Sequence, residues 1–150
     1  MQLKVATRED EPFVTQMALK FYSESPYRGI PINNKKVQDV IEHLMGNDLC
    51  LVLLLVSDQG KPVGMIAGHV NEMIFSTDRM ASEVVWWVDK EYRGSKHSLS
   101  LLDGFEYWAY KSGCKFVQMS SLGGPKSGVL DRLYSKRKYI NTEQAYVKEF

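Results

Sequence analysis

Residues 93 to 98 read Arg93-Gly94-Ser95-Lys96-His97-Ser98. This short basic run of small residues sits between an apolar stretch and an amphipathic one. A helix N-terminus leaves backbone N–H groups without partners and carries partial positive charge, so such a run can hold an anion. Gly94, Ser95 and Ser98 would let a phosphate approach the backbone, and Arg93, Lys96 and His97 add charge. The chemistry indicated is the holding of a phosphorylated ligand at one end of a strand. Ten residues earlier, Glu83 is a lone carboxylate in the apolar stretch Ala81 to Val88. Burial raises a carboxylate's pKa toward neutrality, which suits a general base acting directly or through a water. Plainer readings compete: a solvated strand-to-helix turn for residues 93 to 96, and a solvent-facing strand-start glutamate for Glu83.

The elements that must position these residues follow from periodicity. Ala81 to Val88 is expected as a strand, with Glu83, Val85 and Trp87 on one face and Val84, Trp86 and Val88 on the other. After the turn, Ser98, Leu101, Leu102, Phe105 and Ala109 form one buried helical stripe, with Trp108 at its edge. Lys115 to Ser120 is the next strand, parallel to the first through a right-handed crossover. Upstream, Leu3 to Ala6 is a strand, and Thr7 or Asp10 caps a helix whose stripe is Phe13, Val14, Met17, Ala18 and Phe21. A loop runs from Ser23 to Asn34. Val37, Val40, Ile41, Leu44 and Met45 mark a second helix, closed by Gly46-Asn47. Leu49 to Val56 is a continuous apolar run, read as a central strand buried on both faces, and Pro62 to Val70 returns beside it as a hairpin. Val129, Leu130 and Leu133 mark a short helix, and Glu143 to Glu149 a final strand. Met73-Ile74-Phe75 is an apolar cluster at a turn, open to three readings: an acceptor cleft, a homodimer contact or a cover for the core.

With 150 residues the chain has room for one domain, taken as residues 1 to 150, and little room for a second. A net charge of +1 excludes a polyanion binder as a whole, so nucleic acid is not an expected partner. The basic–aromatic run from Arg132 to Lys138 reads as a solvated helix end and cofactor contact rather than a nucleic-acid patch. Cys50 and Cys114 lie far apart in sequence, in or beside apolar runs, and read as reduced thiols of a cytoplasmic protein. The start Met-Gln-Leu-Lys-Val has no signal-peptide core, and Leu49 to Val56 is too short to span a bilayer, so no membrane role is expected. His43, His69 and His97 share no ligand spacing with either cysteine, so no metal is expected. Nor is there a nucleophile–His–acid set at a recognisable spacing.

The turn resembles the acetyl-CoA signature of the GNAT superfamily of N-acetyltransferases, Gln/Arg-x-x-Gly-x-Gly/Ala. Arg93 takes the first place and Ser98 is a small stand-in at the last, while Lys96 stands where glycine is usual. The preceding strand with Glu83, Tyr92 before Arg93, and the later Leu133-Tyr134 extend the likeness over nearly the whole chain. Small bacteriophage-encoded members are especially similar to this loop and ending. The resemblance implies an α/β (α+β) GNAT fold: a mixed central sheet of six to seven strands flanked by about four helices, in the order βααβββαβαβ. It implies acetyl-CoA as cofactor and direct transfer to the primary amine of an acceptor, which polyamines, small amino compounds, peptide N-termini and protein lysines would all satisfy.

Residue roles implied by the resemblance follow the motif. Arg93, Gly94, Ser95, Lys96, His97 and Ser98, with the N–H groups of residues 94 to 99, would bind the cofactor's phosphates. The Trp87 and Val88 amides would polarise the carbonyl, Glu83 would act as base, and Tyr134 would protonate the leaving thiolate. Ser120, Ser121 and Ser127 are candidates for the pantetheine arm. The loop with Tyr22, Tyr27 and Arg28 would face the acceptor, Arg28 suiting an acidic one. Arg137-Lys138-Tyr139 replaces the family's Leu-Gly-Phe-like segment, so the last helix must end on another cap. Lys96 and that segment also leave open a CoA-binding or protein-interaction module with little catalysis.

Overall fold

The computed structural model describes residues 1–122 and 127–150; the side chain of Ser127, a pantetheine-arm candidate, lies outside the described set. The chain divides into two units, Met1–Ser120 and Ser121–Phe150.

The first unit carries a five-stranded sheet in sequential order: β1 (Gln2–Val5), β2 (Cys50–Val56), β3 (Pro62–Met73), β4 (Ser76–Val88) and β5 (Cys114–Gln118). Neighbours are antiparallel except β4 and β5, which run parallel. Helices α1 (Glu11–Glu24) and α2 (Asn34–Gly46) lie between β1 and β2, and α3 (Lys96–Lys111) links β4 to β5. Strand alternation sorts the apolar residues into two layers. Val52, Leu54 and Val56 of β2 join Val14, Met17, Ile41 and Leu44 from α1 and α2. Leu51, Leu53 and Leu55 join Leu101, Phe105 and Ala109 from α3. The apolar run of β2 is therefore a strand covered on both faces, as its composition suggests.

Local chemistry closes the elements. A 3-10 turn, Arg8–Asp10, precedes α1. The Asp10 carboxylate accepts the Thr7 N–H at 2.8 Å and the Lys4 ammonium at 2.9 Å. Burial works against that carboxyl's charge, but these bonds hold it below its ordinary value. Asn33 caps α2 by accepting the Lys36 N–H at 3.0 Å.

β4 departs from simple alternation. Ala67 pairs with Val85 but Gly68 pairs with Glu83, so Val84 is an extra residue, a β-bulge. Val85 and Trp87 belong to the layer under α1 and α2, whereas Ala81, on the near side of the bulge, belongs to the α3 layer. Glu83 shares that α3 side. Its cross-strand partner Gly68 has its missing Cβ directed at the Phe105 ring, 2.7 Å away. The expected common face for Glu83 and Trp87 is therefore corrected, because one inserted residue reverses the parity.

Among the described residues the sheet has five strands rather than six or seven, and the expected strand from Glu143 to Glu149 is not formed. A strand exists only as part of a hydrogen-bonded ladder, and this exposed segment enters none. The apolar Ile74-Phe75 pair forms the tip of the β3–β4 hairpin at 92% and 98% exposure, so it does not cover the core.

The second unit holds α4 (Ser127–Lys136). Its end is closed by Lys138 at φ 65°, with the Tyr139 N–H returning to the Tyr134 carbonyl at 3.0 Å. This is the left-handed cap that glycine usually supplies, formed here by a lysine. Lys138→Gly should therefore raise stability by about 1 kcal/mol in urea unfolding. Gly68→Ala should cost about 1–3 kcal/mol by forcing a methyl against the Ser82 carbonyl oxygen and the Phe105 ring. Gly46→Ala, where an added Cβ meets nothing within 4 Å, should be near neutral in the same measurement.

Candidate functional site

β4 ends at Val88 and is followed by a 3-10 turn, Lys90–Tyr92. Gly94 then takes φ +74°, which a side chain would strain, and Ser95 caps α3. The Ser95 hydroxyl accepts the Ser98 N–H at 3.1 Å and donates to the Tyr92 carbonyl at 2.8 Å. Ser98 is buried, its own hydroxyl bonded to the Ser95 carbonyl at 2.7 Å. The Leu99 N–H reaches the Ser95 carbonyl at 3.3 Å. Ser95 and Ser98 thus build the helix start itself. Among the described residues, the N–H groups of Gly94, Ser95, Lys96 and His97 meet no protein acceptor, a narrower set than residues 94 to 99. Four such donors at the positive end of a four-turn helix suit a diphosphate. Lys96 occupies the first helical position with an ordinary helical backbone and an exposed side chain, and His97 beside it is half-buried.

Arg93 has inward partners. Its Nε donates to the Val88 carbonyl at 2.7 Å, and its guanidinium lies 4.4 Å from the centroid of the Trp87 ring. Its Nη1 meets the Glu24 carboxylate at 3.0 Å, which Lys90 also approaches at 3.4 Å. Burial acts to raise the Glu24 pKa, but these two cations hold it below its ordinary value. Glu24 is a site residue that the sequence does not signal, since it stands 69 positions from Arg93 with no shared motif.

Toward its C-terminal end β4 has one strand partner, not two. Pairing with β5 spans Arg79 to Ser82 and stops at Ser82–Gln118, while pairing with β3 continues to Val88. A gap therefore opens between β4 and β5. The Asp89 N–H bonds the Val63 carbonyl at 2.9 Å. Antiparallel alternation from that pair turns the Trp87 N–H toward β3 and the Val88 N–H away from it, to the gap side. The two amides named together from sequence thus face opposite ways.

Glu83 is the first residue of β4 past the last β4–β5 pair. Loss of hydration pushes its pKa up to about 7, against the opposing effect of hydrogen bonds from Ser120, whose N–H reaches the carboxylate at 3.2 Å. The residue is partly exposed at its edge, but its carboxylate is sufficiently enclosed to lose water. A group near half-protonated at neutral pH can take up a proton and pass it on.

The loop after α1 is organised around Ser25, which is 1% exposed. Ser25 Oγ donates to the Tyr22 carbonyl at 2.8 Å and accepts the Tyr27 N–H at 3.1 Å; the Arg28 N–H bonds its carbonyl at 3.3 Å. The Tyr22 hydroxyl bonds the Ile30 carbonyl. Tyr27 and Arg28 are exposed, three and four residues beyond the Glu24 that holds Arg93. Tyr134 belongs to the second unit, where it is buried with its ring 5.4 Å from that of Tyr139.

Among the described residues no group of three or more His, Cys, Asp or Glu side chains could hold a metal, and no helix is long and apolar enough to cross a membrane.

Residues 15–123 match the model of the acetyltransferase (GNAT) family. Among curated proteins nothing matches the chain. Among solved structures it is similar to the aminoglycoside antibiotic 6'-N-acetyltransferase AAC(6')-Ig from Acinetobacter haemolyticus, with TM-score 0.76 and 17% identity over 100% of this chain and 98% of that one. It is also similar to AAC(6')-Iy in complex with the bisubstrate analog CoA-S-monomethyl-acetylneamine, with TM-score 0.76 and 12% identity over 99% and 97%. A third is a ribosomal-protein-alanine N-acetyltransferase from Brucella melitensis biovar Abortus 2308, with TM-score 0.73 and 15% identity over 100% of both chains. At these identities the likeness is one of fold.

The raised pKa of Glu83 has a stability consequence. The folded value of about 7 lies above the ordinary 4.5, so the native state holds the proton more tightly. Stability from this group is complete below the ordinary value and falls as pH rises through the folded one. Glu83→Gln should therefore stabilise the protein by on the order of 2 kcal/mol at pH about 8 and change little at pH about 4, read from urea midpoints.

Proposed function

The chain belongs to the GNAT acetyltransferase family, whose donor is acetyl-CoA, and from that premise we propose that it transfers an acetyl group directly to the primary amine of a small molecule or protein. One observation carries this reading. The gap between β4 and β5 has Glu83 at its closed end, and β4 leads from it to Val88 and to the open amides of residues 94–97.

Bound acetyl-CoA supplies an activated thioester carbonyl. The N–H groups of Gly94, Ser95, Lys96 and His97 hold the diphosphate, with charge added by Lys96. The Val88 N–H, on the gap side, donates to the oxygen that gains charge as the amine attacks. Trp87 serves through its ring, which seats Arg93. Glu83 takes the amine's proton, directly or through a water, and Tyr134 returns one to the departing sulfur, a role that rests on the family resemblance. Tyr27 and Arg28 contact the acceptor. The names of the structural neighbours include amines on an aminoglycoside and on a protein alanine, so both small and macromolecular acceptors belong in a first screen. The two free thiols support a reducing, cytoplasmic setting.

Acetyl-CoA and free CoA should each raise the melting temperature by mass action, and thiol release should appear with at least one amine in a panel. Glu83→Gln should lower kcat about 10²-fold with little change in the KM for acetyl-CoA. The wild-type rate should rise with pH through an apparent pKa of about 7. Tyr134→Phe should lower kcat at least about 10-fold. Coenzyme binding without thiol release from any amine would favour a binding module instead.

A further inference from the structure

We infer that Glu24 is a positioning residue that ties the turn receiving the coenzyme diphosphate to the loop receiving the acceptor; this inference rests on the acetyltransferase reading above. Glu24 is the last residue of α1, and Ser25 begins the acceptor loop. Its carboxylate holds Arg93, the first residue of the phosphate turn, at 3.0 Å, and draws Lys90 to 3.4 Å. Arg93 passes the restraint on in two directions. Nε fixes the Val88 carbonyl at 2.7 Å, and the guanidinium is seated on the Trp87 ring at 4.4 Å. One helical turn earlier on the same face of α1, Lys20 meets Asp89 at 2.8 Å, so two successive turns of α1 are fastened to the segment after β4.

On the loop side the fastening is equally direct. Ser25 follows Glu24 and organises Tyr27 and Arg28 through the Tyr27 N–H at 3.1 Å and the Arg28 N–H at 3.3 Å. The path from the Gly94 turn to the acceptor loop is thus Arg93, Glu24, Ser25, all within the first unit. These ion pairs are too exposed to contribute much stability, with side-chain exposures of 32% for Arg93 and 36% for Glu24. Their effect is orientational. Glu24 draws the guanidinium toward α1, leaving the open amides and Lys96 to meet the anion. Because coupling between sites is reciprocal, order imposed at the turn must be felt in the loop, and the reverse.

The test is amide hydrogen exchange of residues 25–33 with and without coenzyme A, together with the Kd for coenzyme A and acetyl-transfer kinetics. It compares the wild type, Glu24→Gln, Arg93→Gln and the double variant. In the wild type, coenzyme A should slow exchange of the loop amides severalfold. Glu24→Gln should abolish that protection and raise the Kd and the KM for acetyl-CoA about two- to fivefold, with kcat changed less than about twofold. Arg93→Gln should raise them similarly, and the double variant should add little to Arg93→Gln alone, since both act through one link. Unchanged melting temperatures would show that the fold is retained. Equal loop protection in wild type and Glu24→Gln, or fully additive effects, would overturn the inference. Failure of the wild type to bind coenzyme A would remove it together with its premise. Coenzyme binding that leaves the loop amides unprotected would remove it alone.

Discussion

The site depends on how β4 changes partners. From Arg79 to Ser82 this strand is bonded on both edges; beyond Ser82, β3 alone holds it. A backbone that leaves one ladder must expose N–H and C=O groups to something else, and here they face a gap. The bulge at Val84 lies at that transition. It turns Val85 and Trp87 under α1 and α2 while leaving Glu83 on the α3 side. One added residue thus separates a carboxylate that loses hydration from the aromatic ring on which Arg93 of the Gly94 turn is seated. Bulges near active sites commonly re-aim side chains in this way.

Charge around the turn is arranged by purpose rather than by sum. Two cations, Arg93 and Lys96, lie within four residues, yet they do not act alike. Arg93 offers a planar fork that can satisfy a carbonyl, a carboxylate and an aromatic face together, which suits it to an internal role. Lys96 is an exposed point charge at the first turn of α3, where the open amides already favour an anion. Ser95 and Ser98 use their hydroxyls on the helix start, which protects its geometry and leaves the preceding amides for a ligand. A lysine at the usual glycine place is compatible with this arrangement because its backbone is ordinarily helical. The position that needs glycine is Gly94.

Much of this was legible in the chain alone, because the determining forces are local. Periodicity in Leu101, Leu102, Phe105 and Ala109 specifies a helix face, and the unbroken run from Leu49 to Val56 specifies a doubly covered strand. Small and basic residues after a strand specify an anion turn. The helix and strand readings hold because hydrophobic burial and backbone geometry act over a few residues, and the turn does open α3 after β4. The order of elements through α4 follows from the same signals. The final strand did not, since alternation in Glu143 to Glu149 indicates only a capacity to pair, and pairing needs a partner edge.

Sequence by itself determined the family, the small basic turn at the start of α3 and the lone carboxylate, since each is written in adjacent residue types. Only the tertiary structure decided which way those groups face. The bulge that moves Glu83 off the face of Trp87, the parting of β4 from β5, and the opposite directions of the Trp87 and Val88 amides all depend on strand register. Glu24's hold on Arg93 depends on α1 packing beside β4. Register and packing are set by contacts between residues tens of positions apart, and composition and spacing carry no record of those contacts.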